Sequence, residues 1–212
     1  MSLASTTLPF ADRLNAGIAA AALGLPGSAL LRDVASSARA ALTELAAALR
    51  HAAPGHHAVV AAERRIARPA SAQEMILGDG AAAALVGIGS PVASFVAHAS
   101  RHADLVDHFR ASGQLHDYGW EERWVRDEGY LKIAVETLRQ CLQDAGTNAG
   151  AIAHFALPAP LAKVNEAAAK RLGIAAGALV PTEHETVGDL GGAQPLAMLD
   201  AAVRRAAPRP VS

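Results

Sequence analysis

The residues of this chain able to do chemistry are few, and their spacing sorts them. Residues 188–192 read GDLGG and sit just ahead of a run with helical spacing. Backbone N–H groups of such a turn, at Gly188, Gly191 and Gly192, can form a nest for an anion or an oxyanion. The same residues also suit a plain strand-to-helix turn. Residues 33–45 read DVASSARAALTEL, a short strand entering a Ser36-Ser37 turn and then a helix. That arrangement presents one side chain at a helix N-terminus, where a thiol is acidified and backbone N–H groups can meet an oxyanion. The residue at the step is Ala38, which has no reactive group. Ser36 or Ser37 could act in its place only with a histidine base alongside. Their simpler role is to cap the helix.

Nine histidines are spread along the chain, and none forms an HExxH pair. His98 and His102 are spaced for one helix face, but the residues around them read as strand. Surface histidines are therefore expected there, and no metal site. GDGAAA (78–83) lacks the third glycine of a dinucleotide fingerprint and precedes its strand instead of following one. Its glycines suit a turn that brings backbone close to the active region. Arg64, Arg65 and Arg68 follow a strand and could meet a phosphate, with a solvated basic turn as the default. Cys141, the only cysteine, falls inside a helical stripe as a small core residue. It leaves no disulfide framework and no cysteine-based zinc site.

The elements that must position these groups show in the apolar periodicity. Helical stripes run through Ala38–Leu49, Leu131–Ala145, Leu161–Leu172 and Leu196–Val203. Short apolar runs at 58–62, 82–88, 92–97 and 152–157 read as strands. Glycines closing DAG (144–146) and RLG (171–173) fit left-handed helix ends. Alternating strands and helices predict an α/β sheet covered by helices, with a weak boundary near GIGSP (87–91) and a frayed PRPVS end. Residues 102–130 are polar and hold both tryptophans and both tyrosines. They read as a partly helical excursion that caps the core with Trp120 and Trp124, or as a lid over a cleft.

Composition narrows the classes. The 212 residues suffice for one large or two small domains, and aromatics are only 4%, so Ala, Val, Leu and Ile must fill the core. Lys+Arg of 19 against Asp+Glu of 20 gives no basic field for nucleic acid. The alanine-rich runs are broken by charges before they could span a membrane. MSLASTTLPF lacks the regions of a signal peptide, so the cytoplasm is expected.

Five segments, ASTTLPFADRLNAGIAAAALGLP (4–26), GDGAAAALVG (78–87), WEERWVRDEGY (120–130), HFALPAPLAKVNEAAAKRLGI (154–174) and GDLGGAQPLAML (188–199), together resemble the thiolase superfamily. The likeness is to its ketoacyl synthase III and hydroxymethylglutaryl-CoA synthase-like acyltransferases. It implies a layered thiolase-like α/β fold with mixed sheets and buried central helices, an N-terminal half over 1–90 that starts late, and a C-terminal half over 91–212. Ping-pong acyl transfer on a cysteine is the family chemistry. In this sequence the nucleophile position falls on Ala38, Pro158 or an alanine stands where a histidine is expected, and Gly188-Asp189 stands where relatives have Gly-Asn.

The resemblance therefore implies a degenerate subunit, a non-catalytic partner of an active acyl-CoA acyltransferase. It would be a homodimer, or a heteromer with a full-length thiolase-like subunit, with a zinc-ribbon/OB-fold protein as a further partner. The interface is expected near Val59 and Val60. The alternative is an active acyltransferase without a covalent step, with Asp189 and His154 or His184 as bases, or an engineered or truncated form of one. No tightly bound cofactor is expected. A coenzyme A thioester is the substrate on the second reading, with Arg64 and the glycines of 188–192 against it.

Overall fold

The computed structural model describes residues 1–35, 37–51 and 55–206. Ser36 and the PRPVS end lie outside the described residues. The chain forms two compact units. The first comprises Met1–Arg65, Met75–Ser94 and Glu183–Asp200, and the second Ile66–Glu74, Phe95–Thr182 and Ala201–Ser212. They interleave along the chain, whereas the sequence suggests a single boundary near residue 90.

The first unit is built on strands β1 (Ser2–Ala4), β2 (Arg32–Val34), β3 (His56–Glu63) and β4 (Gly80–Gly87), in the order β2-β1-β3-β4. β1 runs parallel to β2 and β3, and β4 runs antiparallel to β3 along its whole length. Helix α1 (Asn15–Ala22) lies against β1 and β2, and helix α2 (Ala40–Arg50) against β1, β3 and β4. Registered residues share a sheet face, so Ala4, Ala61 and Ala82 line up, as do Ser2, Val59 and Ala84. α2 turns Ala41, Leu45 and Ala48 onto that face, where Leu190, Ala193 and Leu196 join the core. The small side chains let helix and sheet approach closely, as a chain with few aromatics requires.

The second unit has a two-stranded ribbon, β5 (His108–Phe109) and β6 (Tyr118–Gly119). A short α3 (Glu122–Trp124) then widens into a π-helix over Val125–Ala134 and continues as α4 (Val135–Asp144). α5 (Val164–Leu172) packs Val164, Ala168 and Ala169 against Leu131, Val135 and Phe155. Gly173, with φ 79°, closes α5 in the left-handed conformation, as read from RLG. Two further helices belong to the end of the chain, α6 (His184–Val187) and α7 (Gln194–Ala206).

The four helical stripes and the strands near 58–62 and 82–88 form as expected. The other two strands do not. Residues 92–97 carry no strand, and Val92 is 91% exposed, because strand preference without a partner to pair with decides little. At 152–157 pairing shrinks to a bridge between Phe155 and Leu179, just before Pro158 and Pro160 interrupt any ladder. The surroundings of His98 and His102 are likewise irregular, not strand. Trp120 and Trp124 are about half exposed, at 48% and 49%, so they do not cap the core. α2 begins at Ala40, two residues later than expected. Its first turn has no side-chain cap, although Ser37 Oγ accepts the Arg39 N–H at 3.2 Å. Only one face of α2 is buried, and Leu42 on the other is exposed.

β3 is an inner strand. Its two edges are taken by β1 and β4, so it cannot pair with a partner's strand, and Val59 is fully buried within its own unit. The interface expected at Val59 and Val60 is thus replaced by intrachain packing. Val59→Asp places an unpaired carboxylate in this core. We expect it to lose more than about 4 kcal/mol in urea unfolding, with helix content falling in step. Native stability with only a change in molecular size would contradict this packing.

Candidate functional site

The C-terminal ends of β1, β2 and β3 lie side by side in the first unit, where open α/β sheets tend to place their ligands. Glu63 ends β3 and is 4% exposed. Its carboxylate accepts the Thr6 N–H at 2.7 Å, the Thr6 hydroxyl at 2.9 Å and the Thr7 hydroxyl at 3.2 Å. Burial of the charge is thus balanced by charge-assisted hydrogen bonds from the loop after β1.

The GDLGG turn reaches the same place. Leu77 and Asp189 form a parallel bridge, with Gly78 N–H donating to the Asp189 carbonyl at 3.0 Å and Asp189 N–H donating to that of Ile76 at 2.7 Å. The two glycine motifs meet back to back. A Cβ on Gly78 would lie 2.0 Å from the Val187 carbonyl oxygen, and one on Gly188, at φ 75°, 2.8 Å from the Gly78 nitrogen. Only glycine fits either position. This is the close backbone approach read from GDGAAA.

Arg65 locks the turn. One guanidinium nitrogen lies 2.8 Å from Asp189 Oδ2 and donates to the Asp189 carbonyl at 2.6 Å. Both side chains are nearly buried, at 8% and 13% exposure. Asp189 Oδ1 accepts the Gly191 N–H at 3.0 Å, and Gln194 Oε1 accepts that of Leu190 at 3.1 Å. Of the expected nest, the Gly191 N–H is thus bonded by the Asp189 side chain and the Gly188 N–H by the His184 carbonyl. A Cβ on Gly192 would sit 3.0 Å from Glu63 Oε1 and 3.3 Å from the Ala38 carbonyl oxygen. A Cβ on Gly191 would sit 3.0 Å from Arg65 Nε.

The structure thus brings together Ala38, Arg65, His184, Asp189, Gly188, Gly191 and Gly192 of the residues named from the sequence. It adds Glu63, Thr6 and Gln194. Arg64, expected to face a ligand, has a side chain 85% exposed and 3.7 Å from Asp79. Its neighbour Arg65 is the arginine that turns inward. Alternation along β3 carries the signal that separates them, since Val59, Ala61 and Glu63 are buried and Arg64 is exposed. His154 belongs to the second unit, with Nδ1 buried and unpartnered. The segment after it holds half-buried Pro158 and buried Ala159, neither able to move a proton. Among the described residues no group of three or more His, Cys, Asp or Glu could hold a metal ion, and no helix is long and apolar enough to cross a membrane.

His184 stands beside the Arg65–Asp189 pair. Burial pushes its imidazole below the usual histidine range, and Arg65 acts in the same direction. Asp189 and a hydrogen bond with the Gln194 side chain oppose them. Its Nε2 is buried without a partner. Chemically, the cluster offers a neutral imidazole and a carboxylate held by an arginine. At the helix entry the Ala38 carbonyl oxygen lies close to Gly192, and the side chain of Ala38 is a methyl group.

No family model and no curated protein matches this sequence. Solved structures do match its fold. A 3-oxoacyl-(acyl carrier protein) synthase III, FabH, from Pseudomonas aeruginosa aligns at TM-score 0.80 and 20% identity, over 97% of this chain and 67% of that one. The 3-oxoacyl-[acyl-carrier-protein] synthase III of Aquifex aeolicus gives 0.81 at 17% identity, over 97% and 68%. An HMG-CoA synthase solved in complex with CoA gives 0.77 at 16%, over 94% and 55%. The fold is that of the thiolase-like condensing enzymes, α/β with a mixed sheet. The chain spans between 55% and 68% of the length of these solved chains.

Two outcomes follow. Arg65→Met strands a nearly buried carboxylate and should cost about 3–5 kcal/mol in chemical unfolding, partly recovered by adding Asp189→Leu. A near-neutral Arg65→Met would mean the pair is not holding the turn. The second concerns pH. A histidine with a lowered folded pKa binds fewer protons folded than unfolded. Stability is therefore full above the ordinary value of 6.5 and falls as pH drops from there toward the folded value. Unfolding curves from pH 7.5 to 5 should show this loss, and His184→Gln should reduce it, leaving the share of His57, whose pKa is lowered too.

Proposed function

We propose that this chain is a non-catalytic, thiolase-like subunit that works beside an active acyl-CoA acyltransferase of the carbon–carbon bond-forming or -cleaving kind. The observation that carries the reading is the Arg65–Asp189 pair next to Ala38. The helix entry has no thiol or hydroxyl at Ala38 to acylate. The carboxylate that could serve as base is already bonded to Arg65 and to the Gly191 N–H. A site arranged this way retains the shape of the fold while most of the polar groups of its turn are bonded within the chain.

The partner is a second copy or, on the reading favoured here, a full-length thiolase-like subunit with its cysteine intact. A zinc-ribbon/OB-fold protein is a further candidate, and the cytoplasm the proposed compartment. The outer edge of β4 supports association. It runs for eight residues, GAAAALVG, with no charge and no proline to discourage pairing. The HMG-CoA synthase neighbour holds CoA, which supports an acyl-CoA as the substrate of the assembly.

A second reading has one observation behind it. His184 lies against Asp189 with Nε2 unpartnered, so a histidine–carboxylate pair could activate an acceptor without a covalent acyl-enzyme. Intact mass spectrometry and thiol release on the purified chain with acetyl-CoA and longer acyl-CoAs separate the two. We expect no mass gain and no CoA release from the chain alone, and a heteromer by light scattering when it is co-produced with a cysteine-bearing relative. Release of CoA that disappears in His184→Gln would favour the second reading. A monomer in every mixture would remove the first.

A further inference from the structure

The first unit holds another polar cluster at the opposite end of its sheet. Because β1, β2 and β3 run parallel, Ser2, Arg32 and His57 stand together near their N-terminal ends, away from Glu63. A cavity of about 360 Å³ opens there, lined among the described residues by Leu30, Arg32, His51, His57, Ala48 and Val86, with others. That lies within the range of small-molecule pockets.

The hydrogen bonds fix which donors remain for a ligand. Ser2 is fully buried. Its Oγ accepts from Arg32 Nε at 2.8 Å and lies 2.8 Å from His57 Nε2. With Oγ accepting from Arg32, the one Ser2 hydroxyl hydrogen goes to His57 Nε2. The proton of the neutral imidazole then sits on Nδ1. Burial first, then the positive charges of the amino terminus and Arg32, keep His57 below the ordinary histidine range, which agrees with a neutral ring. Arg32 also pairs with Glu44. The remaining Arg32 N–H groups and His57 Nδ1 have no protein partner among the described residues. Both residues line the cavity.

We propose that this cavity binds a small carboxylate with a short apolar tail. The carboxylate takes the open face of the Arg32 guanidinium and the His57 Nδ1–H. The tail lies along Leu30, Ala48 and Val86. The apolar part of the lining favours a carboxylate with a tail over a bare anion such as phosphate. The site is separate from the Arg65–Asp189 cluster and does not depend on the reading given to that cluster.

The test is calorimetric titration of the full chain with butyrate and hexanoate, beside butylamine and inorganic phosphate. Saturable carboxylate binding is expected, tighter for hexanoate, with neither control binding comparably. Arg32→Gln should weaken it about tenfold or more. Leu30 is 82% exposed, so changes there leave the core intact. Leu30→Asp should weaken binding by charge repulsion, and Leu30→Lys should strengthen it. No saturable binding, equal binding of butylamine or phosphate, or binding indifferent to both Leu30 variants would overturn the proposal.

Discussion

The first unit depends on one long-range tie, the nearly buried pairing of Arg65 with Asp189, 124 residues apart in sequence. Arg65 follows directly on β3, the strand that runs through the middle of the sheet. Asp189 sits in the turn that feeds Leu190, Ala193 and Leu196 into the same core. Breaking a buried pair leaves an uncompensated charge, so each partner confines the other. The bond to the Asp189 carbonyl adds a backbone constraint to the ionic one. Gly78 and Gly188 make the tie possible, because any side chain on either would push the two backbones apart.

That tie also decides what the site can do. In a catalytic arrangement, donors and bases are left open toward a ligand. Here Asp189, Gln194 and the N–H groups of Leu190 and Gly191 satisfy one another, and Glu63 is held by Thr6 and Thr7. Rigid, mutually satisfied polar groups suit a structural role well. His184 Nε2 and Arg65 Nε are exceptions, both buried without a hydrogen-bond partner. Further N–H groups without a protein partner among the described residues lie at Arg32, at the far end of the strands. Both ends of the sheet thus keep some hydrogen-bonding capacity.

Local sequence determined the elements whose partners are near in the chain or whose pattern is strong. The stripes of α2, α4, α5 and α7, the alternation along β3, and the left-handed glycine after α5 were all legible, because period, propensity and turn chemistry are local physics. The GDLGG turn was legible for the same reason. A strand needs a partner, and that the sequence cannot supply. Residues 92–97 and 152–157 have the composition of strands and find no ladder. The tertiary structure alone decided that β3 is an inner strand, which moved Val59 from an expected interface into the core. It alone chose Arg65 over Arg64, since which arginine meets Asp189 depends on which way the chain leaves β3. It alone joined Glu63 to Thr6 and Ser2 to His57, pairs more than fifty residues apart whose meeting is set by strand order, a property of the sheet as a whole.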